Sequence, residues 1–222
     1  MRLRCLFGAL SVTMVGGCAP ANVAVPTPAA SAERVELIVA ATTDIHGRVR
    51  GWNYDLDAPD TTVGLALAAT IVDSLRGVVG GRVVLVDAGD IIQGNALGLV
   101  AARVSAPEAP HPVMAAMNAM RYDAAAVGNH EFNYGVPFLE RTARQAKFPL
   151  LAANARRSDG SPAFRAWTLV ERGGVKVGIV GATTPGAMVW DRDNLRGRIV
   201  IRDIVPAVRD AVGKRAPPVP RW

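Results

Sequence analysis

Short apolar runs alternate with helix-patterned stretches along this chain of 222 residues, and three of the runs stop in clusters of Asp, His, Asn and Gly. That alternation constrains the fold most. Short runs of Val, Ile, Leu and Ala bounded by turn residues read as buried strands, and the intervening helices supply covering layers. Residues 36–42 (ELIVAAT), 82–87 (RVVLVD), 124–127, 149–153 and 175–181 are such strands. Residues 167–171 and 198–201 alternate more and read as antiparallel or half-exposed strands. The fold class is α/β, a layered domain.

Between the strands, residues 62–76 place Val63, Leu67, Ile71 and Leu75 on one helical stripe. Residues 112–120 do the same with Val113, Met117 and Met120, and residues 136–146 form a third helix. Met114, Met117 and Met120 read as core packing, because Met fills irregular gaps. The pairs Gly80-Gly81 and Gly173-Gly174 are turns between strand and helix. No glycine-rich loop of the ATP-binding or dinucleotide-binding pattern occurs, and no internal repeat.

The net charge is +6, from 25 Lys and Arg against 19 Asp and Glu, which invites a nucleic-acid reading. Its location removes that reading. Arg2 and Arg4 carry two units and residues 191–222 carry four, so the intervening body is neutral. The basic tail also lacks interleaved aromatics, and no nucleic-acid polymer is expected as a partner.

Both ends of the chain differ from its body. Residues 1–18 read as an export signal, with Arg2 and Arg4 before an apolar stretch too short to span a bilayer. Val15-Gly16-Gly17-Cys18 is similar to a bacterial lipobox, which would make Cys18 the lipidated first residue and anchor the protein to a membrane. The other reading is a plain secretory peptide cleaved near Ala30 or Ala32. Both imply export, to the periplasm or to the outer membrane as a lipoprotein, and both leave the mature body without a disulfide. Residues 19–34 are a Pro- and Ala-rich linker. At the other end, residues 203–212 start an amphipathic helix capped by Asp203. Residues 213–222 then lose all pattern, as a natural tail or a frame-shifted or truncated gene would.

The chemistry sits in the three polar clusters, Thr43-Asp44-Ile45-His46-Gly47, Asp87-Ala88-Gly89-Asp90 and Gly128-Asn129-His130-Glu131. Loops beyond the carboxyl ends of strands converge on the ligand site in layered α/β folds. Oxygen and imidazole donors suit borderline divalent ions such as Mn, Zn, Fe or Co. Singly, Asp44, Asp90 and Asn129 could each be a turn or cap residue. The third histidine, His111, reads as an exposed residue opening a helix and receives no role.

D-x-H, then G-D, then G-N-H-E in this order resembles the calcineurin-like metallophosphoesterases. TTDIHG, GWNYDLDAPDTTVGLA, VDAGDIIQGN, HPVMAAMN, GNHEFNYG, KFPLLAANA and WDRDNLRGRIVIRDI are similar to the bacterial 2′,3′-cyclic-nucleotide 2′-phosphodiesterase/3′-nucleotidase branch of the 5′-nucleotidase family. The family's 5′-nucleotidases usually carry Asp where this chain has Asn133, whereas its cyclic phosphodiesterases carry Asn. The resemblance covers residues 36–212, and residues 35–212 would be the N-terminal part of the phosphoesterase domain.

The resemblance implies a four-layer αββα sandwich and a nucleotide or other phosphoester as substrate. It implies two divalent metals, Asp44 and His46 on the first, Asn129 on the second and Asp90 bridging them, with a hydroxide between them attacking phosphorus. His130 would sit over the phosphate, stabilising charge or protonating the leaving oxygen. Glu131 and Asn133 would support the ligands from behind or serve the fold. The family pattern further needs downstream H-S-G and G-H-x-H segments, and no histidine follows His130, so the second metal site is incomplete and the sandwich looks truncated. Two functions follow: an exported metallophosphoesterase, or a catalytically impaired truncated lipoprotein.

Overall fold

The computed structural model describes residues 34–213. The export signal, Cys18 and its lipobox, nearly all of the linker and all but the first residue of the tail lie outside the described residues.

Strand β1 (Ile38–Thr42) is followed by a small ribbon of β2 (Trp52–Asn53) and β3 (Ala58–Pro59), then by helix α1 (Leu65–Val79) and β4 (Val83–Asp87). Helices α2 (Ala96–Arg103) and α3 (Pro112–Met120) lead to β5 (Ala124–Ala126), and α4 (Val136–Ala143) leads to β6 (Leu150–Leu151). These four long-range strands form one parallel sheet in the order β1-β4-β5-β6. Parallel pairing forces a crossover after each strand, and α1, α2–α3 and α4 are those crossovers. All the strand carboxyl ends therefore point the same way.

Beyond the sheet lie β7 (Ala155–Arg157), the hairpin β8 (Trp167–Arg172) and β9 (Val175–Val180), short helices α5 (Ala187–Trp190) and α6 (Arg192–Leu195), β10 (Ile199–Ile201) and α7 (Ile204–Gly213). β7 pairs antiparallel with β10. The hairpin is tied to the main sheet by Arg172, whose Nε donates to Val83 O at 3.0 Å and whose guanidinium pairs with Asp123. Of a four-layer sandwich, the described residues thus contain one parallel sheet with its helices and three two-stranded pairs. No helix among them is long and apolar enough to cross a membrane. Leu85, Ile91, Ile92, Met114, Met117, Phe132 and Leu139 are buried to within 1 % and form the middle of the core.

Three expectations are corrected. Helix α1 begins at Leu65, because Asp60 Oδ1 binds both the N–H and the hydroxyl of Thr62 in a local turn. Its inner face is Leu65, Ala68, Ala69 and Val72, while Leu67 and Ile71 are 41 % and 63 % exposed. Apolar residues lie on two sides of this helix, so its period is degenerate, and docking chose the face. Arg76 settles it by donating to Met120 O and Arg121 O at the end of α3.

His111 opens α3 as expected but is buried, 4 % exposed, with its ring edge-on to Phe138 and its N–H on Gln145 Oε1 at 2.6 Å. The chain from Ala106 to Pro110 and the α4 face together cover it. Gly173-Gly174 is a turn between two strands, since both residues take positive φ and close the β8–β9 hairpin. Helix α2 lacks a counterpart in the sequence reading; Asn95 caps it by accepting the Gly98 N–H at 3.1 Å.

Candidate metal centre

The three polar clusters meet at the carboxyl ends of β1, β4 and β5. Backbone bonds zip the first two loops together: Asp44 N–H to Gly89 O (3.1 Å), His46 N–H to Asp90 O (2.9 Å) and Gly47 N–H to Ile91 O (2.8 Å). Asp44, His46 and Asp90 all take left-handed backbone, with φ of 54°, 48° and 61°. That region is sparsely used by residues with a side chain and is best tolerated by Asp, Asn and His.

The third loop docks on the second. His130 N–H donates to Asp90 Oδ1 at 2.9 Å. Glu131, fully buried, accepts from the N–H groups of Asp90 (2.8 Å), Ile91 (2.5 Å), Ile92 (3.2 Å) and Gly128 (2.6 Å). Burial pushes its carboxyl pKa up, and the N–H groups pull against that. Only glycine fits at 128, where a Cβ would lie 2.2 Å from Asp90 Oδ1 and 2.4 Å from its nitrogen.

One donor atom each from His46, Asp90 and His130 lies within 4.8 Å of the others. The two rings meet edge to face, 5.0 Å between centroids. His46 Nδ1 is 2.7 Å from Gln93 O, and a carbonyl only accepts, so Nδ1 carries the proton and Nε2 the lone pair. Asp44 stands on the exposed rim, its Oδ1 3.6 Å from His46 Nε2. Asn129 begins the 3₁₀ turn 130–132. Two imidazoles and a carboxylate, with one imidazole oriented by an outer hydrogen bond, are a donor set that fits a borderline divalent ion.

Behind the centre, Thr42 Oγ1 donates to Asp87 Oδ2 at 2.6 Å, Tyr122 OH lies 2.7 Å from Thr42 Oγ1, and Gly89 N–H donates to Asp87 Oδ1 at 2.7 Å. Burial raises the Asp87 pKa to about 7, against the pull of those hydrogen bonds. Asn133 Oδ1 is 2.7 Å from His130 Nδ1, and its Nδ2 donates to Asp191 Oδ1 at 2.8 Å. Sequence reasoning missed Asp191 and Gln93. Asp191 lay inside the quoted WDRDNLRGRIVIRDI segment and so carried a signal, whereas Gln93 acts through its carbonyl, which no side chain announces.

No family model matches the chain. The trifunctional nucleotide phosphoesterase YfkN of Bacillus subtilis is 36% identical over 208 residues, 85% of this chain and 14% of that protein. A 2′,3′-cyclic-nucleotide 2′-phosphodiesterase/3′-nucleotidase of Yersinia enterocolitica is 36% identical over 199 residues, 84% of this chain and 30% of that protein. The crystal structure of the calcineurin-like phosphoesterase YfkN from Bacillus subtilis matches with TM-score 0.75 and 35% identity, over 80% of this chain and 57% of that one.

Over most of its length the chain is similar to calcineurin-like phosphoesterases, and the curated relatives it matches include 2′,3′-cyclic-nucleotide 2′-phosphodiesterase/3′-nucleotidases. Its fold is the α/β fold of those proteins, and the family implies divalent metal ions. It spans between 14% and 30% of the length of these two curated relatives.

Proposed function

We propose that the chain supplies the first half of a binuclear metal centre that hydrolyses phosphoester bonds in nucleotides, of the cyclic-phosphodiesterase and 3′-nucleotidase type. The observation that carries this is the approach of His46, Asp90 and His130 at the ends of adjacent strands. Asp44, His46 and Asp90 would hold the first divalent ion and Asp90 and Asn129 the second, with Mn, Zn, Fe or Co the types that such donors suit. When bound, a divalent pair polarises phosphoryl oxygens and lowers the pKa of the attacking water.

The side chains do the remaining work. A carboxylate at position 90 can offer one oxygen to each ion while offsetting their charge. His130 faces the phosphate and returns a proton to the leaving oxygen, with its ring held from behind by Asn133. Glu131 keeps the Asp90 loop in its left-handed turn.

The chain is expected to bind Mn²⁺ and to hydrolyse a phosphodiester only when metal is bound. The test is Mn²⁺ binding by electron paramagnetic resonance beside hydrolysis of 2′,3′-cyclic AMP. His46→Ala should abolish binding, and His130→Ala should keep binding while removing residual turnover. Loss of binding in His130→Ala would make His130 a ligand, and robust wild-type turnover lost in that variant would establish the full enzyme.

Export, by lipidation at Cys18 or by cleavage near Ala30 or Ala32, belongs to the same proposal and is supported by the n-region and lipobox-like sequence. Palmitate incorporation that disappears in Cys18→Ser supports the anchor. Export without labelling supports plain cleavage.

A further inference from the structure

Asp191 joins α5 to α6 and is 6 % exposed. Its Oδ1 accepts from Asn133 Nδ2 at 2.8 Å and from Asn194 Nδ2 at 3.3 Å. Its Oδ2 is buried with no partner among the described residues. A buried carboxylate oxygen left without a donor costs stability, so the packing of α5 and α6 alone does not explain a carboxylate here.

We propose that Asp191 is a positioning residue that works through Asn133 to fix which nitrogen of His130 carries the proton. This rests on the reading that His130 faces the phosphate, though the proton's location can be read without it.

An asparagine amide has two ends of nearly equal shape, and only its partners decide which end points where. A carboxylate oxygen accepts, so the Asn133 amide must present its NH₂ to Asp191. The reverse orientation would set two acceptor oxygens against each other at 2.8 Å. Asn194 reinforces the choice by donating to the Asn133 backbone carbonyl at 3.3 Å, which holds the turn itself.

With its NH₂ committed, Asn133 has only Oδ1 to offer His130, at 2.7 Å from Nδ1. Nδ1 must then be the protonated nitrogen of the neutral ring. Nε2 is left with its lone pair, the nitrogen that can bind an ion or take a proton during turnover. The relay runs 58 residues back along the chain, from the α5–α6 junction to the turn after β5. It gives an amide, which has no charge of its own, the directing power of a carboxylate. His46 reaches the same tautomer independently, through the Gln93 carbonyl.

The test is long-range proton–nitrogen NMR on the ¹⁵N-labelled full chain, stripped of metal with chelator. There are only three histidines to assign. Wild type should show His130 as a single tautomer, with a protonated Nδ1 and a pyridine-like Nε2. Asp191→Asn replaces the carboxylate with a group that can donate or accept, so either orientation of Asn133 becomes allowed. The two His130 nitrogen shifts should then move toward each other, while those of His46 stay put. Asn133→Asp combined with Asp191→Asn puts an acceptor directly on Nδ1 and should restore the wild-type pattern.

A wild-type His130 protonated on Nε2, or an Asp191→Asn spectrum identical to wild type, overturns the proposal. If Asp191→Asn does not fold, the double variant is compared with Asn133→Asp alone: equal His130 shifts support the relay, and different shifts overturn it. Failure of the hydrolytic reading leaves every one of these spectra interpretable, because no metal or substrate is present.

Discussion

Glu131 accepts the backbone N–H of Asp90 at 2.8 Å across 41 residues of chain, and the same carboxylate takes three further N–H groups from the two loops it joins. Four donors on one buried side chain make the turn after β5 and the turn after β4 a single rigid unit. Asp90 and His130 are set on that unit, so their spacing is fixed before any ligand arrives.

Glu131→Gln keeps the shape but leaves one end of the side chain as an NH₂ facing two N–H groups. Each buried donor without an acceptor costs about 1–3 kcal/mol. Urea unfolding at pH 7 should show a loss of ~2–5 kcal/mol, and Mn²⁺ affinity should fall with it. An unchanged unfolding midpoint would mean that the four bonds are individually dispensable.

Gly128 gives a sharper version of the same statement. Gly128→Ala drives a Cβ into Asp90 Oδ1 and the Asp90 nitrogen, neither of which is the end of a flexible chain. Mn²⁺ binding should drop by at least about tenfold, a cost comparable to disturbing a metal site's supporting contacts. Gly77→Ala, inside α1 with nothing within 4 Å of the new Cβ, should instead stabilise by about 0.5–1 kcal/mol. Equal effects at the two sites would refute the close-approach argument.

His111 predicts sensitivity to acid. Burial, with a smaller contribution from Arg141, lowers its pKa from 6.5 to about 4. Between those values the unfolded chain binds a proton that the folded one refuses. The stability is therefore fully present above pH 6.5 and is lost as pH falls toward 4, by up to about 3 kcal/mol. His111→Phe should flatten that segment of the stability curve, since the ring nitrogens have no partners to lose among the described residues. Parallel curves for the variant and wild type between pH 7 and 4.5 would contradict it.

Asp87 acts with the opposite sign. Its folded pKa of about 7, raised by burial from 3.8, means that the folded state holds the proton longer than the unfolded chain. Stability from this group is lost as pH rises from about 4 through 7, up to about 4 kcal/mol in all. Asp87→Asn preserves an acceptor for Gly89 N–H and a partner for Thr42. It should be more stable than wild type at pH 8 and lose that advantage at pH 4. A variant less stable than wild type at pH 8 would show that the ionised carboxylate is favoured there.

Much of this was legible before any coordinates. The strands at 38–42, 83–87 and 175–180 could be read because an apolar run closed by Asp or Gly has few other homes. The three clusters could be read as one site because parallel strands with helical crossovers deliver their carboxyl ends to one edge. Methionines 114, 117 and 120 are buried on one face of α3, as their spacing requires.

Local pattern specified the main strands and helices and the edge of the sheet where the polar donors gather. Those depend on local pattern and on the hand and direction of the chain. Tertiary structure alone decided which side of α1 faces inward, since apolar residues on two sides made either docking possible. It buried His111, whose neighbours come from a loop and from α4, far along the chain. It also joined Asp191 to Asn133, and through it to His130, a relation between side chains 58 residues apart that no local spacing encodes. Periodicity reports what one element can offer, whereas the donor-and-acceptor accounts of His130, Asp90 and Glu131 close only when distant loops meet.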